Sequence, residues 1–159
     1  MNNATVLTPK QAVTNIQAIF WGGLVAGTLD AVDGVIAYGT QGLNPIQVLQ
    51  YIASGALGKS AFQGGLATAA LGAAFHFMIA WAAAAVFVLA SRRLQVLKTH
   101  AVSAGLLYGT AVYFFMTYLV LPLSAVATST FNTGLFFNGV LGHAVFVGLP
   151  ISLFARRAQ

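Results

Sequence analysis

The chain resolves into four long apolar stretches and one short one. Residues 17–38, 65–90, 101–121 and 134–155 are almost continuously apolar. Each is close to the ~20 residues a helix needs to cross a bilayer. Polar breaks punctuate them: Ser91-Arg92-Arg93 closes the second, Pro122 follows the third, and Arg156-Arg157 follow the fourth. Between the first and second stretches, Asn44-Pro45 reads as a helix N-cap with proline in the first turn. The following IQVLQYIASGAL sets Ile46, Leu49, Ile52, Ala53 and Leu57 near one face, with Gln47 and Gln50 pointing elsewhere. A helix over about 45–57 is too short to span, so it reads as interfacial or re-entrant, or as a surface helix that caps the bundle. The pattern predicts an all-α membrane protein. A four-helix transmembrane bundle, with one short helix between spans one and two, forms a single domain over 1–159.

Composition agrees. The sequence is 58% apolar and 6% charged, where a soluble domain carries about 25% charged residues. The charges also carry topology. Lys10 precedes the first span, Arg92, Arg93 and Lys98 lie between the second and third, and Arg156 and Arg157 end the fourth; only Lys59 falls on the other side. Basic residues concentrate on the cytoplasmic side of membrane proteins, so both termini are expected there. The net charge of +5 is scattered among helix ends with no basic run, which excludes a nucleic-acid surface. Cysteine is absent, and with it disulfides, thiolate metal sites, iron–sulfur clusters and CxxCH haem attachment. The polar start MNNATVLTPKQAVTN is a poor signal-peptide n-region, and two aspartates in the first apolar stretch argue against its being cleaved.

Each span carries a stripe of small residues, the feature by which helices pack closely in lipid. The stripes run through Gly23 and Gly27, through Ala69, Gly72 and Ala73, through Gly105 and Gly109, and through Gly139 and Gly142. The polar residues fall on the same stripes. Asp30 and Asp33 are the only acidic residues in the chain, and an acid inside a span is costly enough to be a functional candidate by default. Asp30, His76, Tyr113 and His143 lie near the middle of their four spans at 1.5 Å rise per residue. Asp33 sits one turn toward the outer side, and Asn138 one turn before Gly142. GLVAGT (23–28) echoes GLLYGT (105–110), and Gly72-x-x-x-His76 echoes Gly139-x-x-x-His143, a pattern that a duplicated two-helix hairpin would produce.

These residues support several chemistries. As proton or cation carriers, Asp30 is the main group, with His76 and His143 as partners and Asp33, Tyr113 and Asn138 assisting. As a metal site, Asp30, His76 and His143 give two imidazoles and a carboxylate, suited to zinc or non-haem iron. The two histidines alone would suit a b-type haem held between spans two and four. A fourth reading is structural: the polar groups lock helix packing in a non-catalytic accessory subunit of a larger membrane complex. No HExxH, P-loop, GxGxxG or Ser-His-Asp spacing accompanies them. Tyr38, Tyr51, Trp21, Tyr108 and Tyr118 read as interface anchors or packing, and His100 as interfacial. Pro150 is a candidate kink. The small size favours a homo-oligomer if a pathway is required.

The strings AGTLD (26–30), VLQYIASGALG (48–58), ASRRL (90–94), YGTAVYFFM (108–116), NGVLGH (138–143) and VGLPI (147–151) resemble a group of small four-span bacterial integral membrane proteins that carry no assigned activity. The resemblance runs from about residue 20 onward. It implies a bacterial inner-membrane setting and transfers no functional residue.

Overall fold

The computed structural model describes residues 13–126 and 131–158. Lys10 and the middle of the connection between the third and fourth spans lie outside them. Four helices are long and apolar enough to cross a membrane: α1 (Asn15–Gly39), α3 (Gly65–Arg93), α4 (Ala101–Leu123) and α5 (Thr133–Arg157). The short helix α2 spans Pro45–Leu57. The chain is therefore a polytopic membrane protein, a helical bundle with no named strand among the described residues.

Local chemistry sets the helix starts. Thr14 Oγ1 accepts from the Gln17 N–H while Gln17 Oε1 accepts from the Thr14 N–H, a reciprocal cap that opens α1. Asn44 and Gln47 repeat it at α2, with Pro45 in the first turn. Asn132 caps α5 through the Leu135 N–H, and its amide donates to Gln41 Oε1 at 3.0 Å, tying the two connections at this end together.

Helices α1 and α5 lie side by side, α3 packs on α1, and α4 packs on α5. The glycine stripes make these approaches possible. A Cβ on Gly109 would strike the His143 carbonyl, one on Gly148 would strike the Gly105 carbonyl, and one on Gly23 would strike Trp81. Contact between α3 and α4 is slight. At the basic end this gap is bridged by Phe87 against Tyr108, whose hydroxyl donates to the Ala83 carbonyl at 2.7 Å. Tyr108→Phe is expected to cost about 1 kcal/mol, the scale of an interhelical hydrogen bond in a membrane bundle, read as a lower midpoint in an SDS unfolding titration.

At the opposite end the gap is covered by α2. Helix α2 rests its backbone on Gly72, where a Cβ would strike the Leu49 carbonyl. Gln50 faces inward, contrary to the face assigned from sequence, and donates to the Gly65 carbonyl at 3.0 Å. Ile46 and Leu57 point outward, 42% and 41% exposed. The expected apolar face is thus rotated: Val48, Gln50, Ala53 and Ser54 are buried. The far end of α2 is fastened by the Ala125 N–H donating to the Gly55 carbonyl.

The tightly packed core lies toward one end of the bundle and the cavity that holds the polar residues toward the other. The packed core, with Ala18, Ala26, Ala84, Phe87, Val88, Val147, Ile151 and Ala155, belongs to the end that carries Arg92, Arg93, Lys98, Arg156 and Arg157. There Lys98 Nζ also donates to the Ala158 carbonyl at 2.8 Å. Two π-helical turns, Met116–Val120 and His143–Gly148, each end two residues before a proline, Pro122 and Pro150. Proline lacks an N–H and crowds the carbonyl four residues back, and a widened turn absorbs both effects.

Candidate functional site

The end opposite the basic residues holds a cavity of about 560 Å³ that reaches from mid-bundle to Tyr38 near the end of α1 and to Pro122, Val126, Phe131 and Asn132. All six polar residues singled out from sequence line it: Asp30, Asp33, His76, Tyr113, Asn138 and His143. Among the lining residues there is no lysine or arginine. Any formal charge in the cavity therefore comes from the two aspartates and the two histidines.

Two polar pairs bridge α1 and α5. Asp30 Oδ1 stands 3.6 Å from His143 Nδ1. That nitrogen is itself buried and makes no hydrogen bond, so the carboxylate is the group it faces. The gap is slightly longer than a hydrogen bond, and a small movement of either side chain closes it. Tyr113 of α4 backs the imidazole edge-on, with ring centroids 5.4 Å apart. Tyr113 in turn fits over Gly139, where a Cβ would collide with its ring. One turn further out, Asp33 Oδ2 accepts from Asn138 Nδ2 at 2.8 Å. Gly142 makes room for that carboxylate, since a Cβ there would lie 2.6 Å from Oδ2. The small-residue stripe of α5 thus seats both acids as well as packing the helix.

The expected buried site needs correction. Asp30 and His143 retain side-chain exposures of 20% and 24%, and every one of the six residues is only partly buried. They form the wall of a cavity and are not sealed in a dry core. The three-ligand metal set is corrected too. Among the described residues no three His, Cys, Asp or Glu side chains come together as a metal site. His76 is the member that falls away. Its Nε2 lies 2.7 Å from the Gly27 carbonyl, an acceptor only, so the ring donates there. That bond also occupies the nitrogen which an axial haem ligand would offer, so the His76–His143 haem pair has a committed member.

Other lining residues were assigned differently from sequence. Tyr38 and Tyr51, read as interface anchors or packing, face each other with centroids 5.5 Å apart and form part of the cavity wall. Tyr51 lies outside the spans, and burial pushes its phenol above the ordinary tyrosine range, partly offset by its hydrogen bond with Tyr38. Thr117, Asn132 and Phe136 also line the cavity. Thr117 was legible as continuing the Gly105–Gly109–Tyr113 side of its span, whereas Asn132, just before the fourth span, and Phe136, within it, carried no signal beyond position.

No protein-family model, curated protein or solved structure matches this chain. The functional reading therefore rests on the site itself.

Proposed function

We propose that this protein handles protons or cations across a membrane, with Asp30 and His143 as the pair that carries them. One observation carries the proposal: the Asp30 carboxylate faces a buried imidazole nitrogen 3.6 Å away on the wall of a cavity without lysine or arginine. An imidazole nitrogen that faces a carboxylate can take up a proton and hand it on. Asp33, held by Asn138, adds a second carboxylate on the outward route. His76 acts as a helix lock through Gly27. The Asp30/His143 remnant of the metal set supplies two ligands, which suits transient cation contact better than a resident structural metal.

The basic residues at the end of the packed core favour termini on the cytoplasmic side, which turns the mouth of the polar cavity outward. The resemblance to small bacterial four-span proteins favours the inner membrane.

The test is proton flux in proteoliposomes. The purified protein is expected to dissipate an imposed pH gradient faster than empty vesicles, and Asp30→Asn to remove that excess. A wild-type rate equal to that of empty vesicles overturns the proposal.

A further inference from the structure

We infer that the cavity accepts an organic ammonium cation with an apolar or aromatic body. The inference rests on the cation-handling reading above and narrows it to a ligand class. Size is the first argument. A volume of about 560 Å³ falls in the ~300–1,000 Å³ range of small-molecule sites. It would hold on the order of ten or more waters at ~30 Å³ each, far more space than a proton or a single dehydrated metal ion uses. The second argument is the absence of a metal cage: no three ligand side chains assemble among the described residues. The third is the distribution of chemistry. Asp30 and Asp33 stand on one wall with no lysine or arginine lining the cavity to neutralise them, while Tyr113, Phe136, Tyr38 and Tyr51 supply aromatic surface. Carboxylates that attract positive charge, together with aromatic rings that accept both cation and hydrocarbon, are the elements of ammonium recognition. A bare inorganic ion would gain nothing from the apolar wall, and a neutral lipid chain would gain nothing from the acids.

The probe is phenyltrimethylammonium, measured by calorimetry on the full chain in maltoside micelles, with tert-butylbenzene as its uncharged isostere and empty micelles subtracted. Phenyltrimethylammonium is expected to bind saturably and about tenfold or more tighter than the isostere. Asp30→Asn/Asp33→Asn is expected to erase that preference, and Tyr113→Leu to weaken the cation about three- to tenfold. Absence of saturable binding to the wild-type protein overturns the inference without reliance on any variant. Equal affinity for cation and isostere overturns it as well. Competition by added phosphatidylcholine assigns the ammonium to a lipid headgroup, whereas its absence assigns a free amine; either result supports the ligand class. Proton flux on the same preparation separates the two levels of the argument. Asp30-dependent flux without phenyltrimethylammonium binding overturns the ligand class and leaves the proton-handling function standing.

Discussion

Gly109→Leu is expected to separate the third span from the fourth and to destabilise the bundle by more than about 3 kcal/mol, beyond the usual cost of overpacking a core. The ordinary cost assumes that neighbouring side chains can move aside. Here the first atoms a Cβ would meet are the His143 carbonyl and the Ala144 Cα, which are backbone. Moving them means moving α5, and α5 is fixed on its other side by α1. The obstruction also falls at the start of the π turn that positions His143, so the cavity wall should distort before the helices part. Gly34→Ala is the control. A methyl group on Gly34 would meet nothing within 4 Å, so alanine there is expected to be neutral or to add up to about 1 kcal/mol through helix propensity. SDS unfolding midpoints of the two variants check both claims. Equal midpoints would mean that the α4–α5 contact does not depend on the missing side chain.

The same contrast shows how much of the molecule its sequence discloses. Span length and hydropathy depend on composition along the chain, and the predicted 17–38, 65–90, 101–121 and 134–155 fall within Asn15–Gly39, Gly65–Arg93, Ala101–Leu123 and Thr133–Arg157. The helix over about 45–57 was legible for the same reason: Asn44-Pro45 is a local cap signal. That the stripes carry the close helix contacts was legible, as at Gly23, Gly27, Gly105 and Gly109, but which helix each one meets was not. The inward turn of Gln50 was not, because its partners are the Gly65 carbonyl and Thr68, acceptors created only when α2 folds back on α3. Equal depth brought Asp30, His76, Tyr113 and His143 to one cavity, with Asp33 and Asn138 about a turn away. Depth says nothing about rotation about each helix axis, and rotation decides that His143 meets Asp30 while His76 turns to the Gly27 carbonyl. The cavity itself has no linear signature. It exists because α3 and α4 diverge away from the Tyr108–Ala83 contact and α2 covers the opening without filling it.

Asp30→Asn is expected to lower proton flux by about a hundredfold or more, the lower range of what a positioned acid–base group contributes. The substitution keeps the shape and a hydrogen-bonding oxygen while removing the only charge that faces His143 Nδ1. His143→Gln should produce a loss of similar size, since glutamine is polar but does not titrate. If the two residues pass one proton between them, Asp30→Asn/His143→Gln should be no worse than either single variant, because removing either member already disables the unit. Additive losses would instead describe two independent sites. Asp33→Asn should be milder: asparagine can still accept from Asn138 at the position where Asp33 accepts at 2.8 Å, and the Asp30–His143 pair is left in place. Asp30→Glu, one methylene longer across a 3.6 Å gap, is expected to retain part of the flux. Unchanged flux in a folded Asp30→Asn protein would remove the carboxylate from the mechanism and reduce the pair to an interhelical contact.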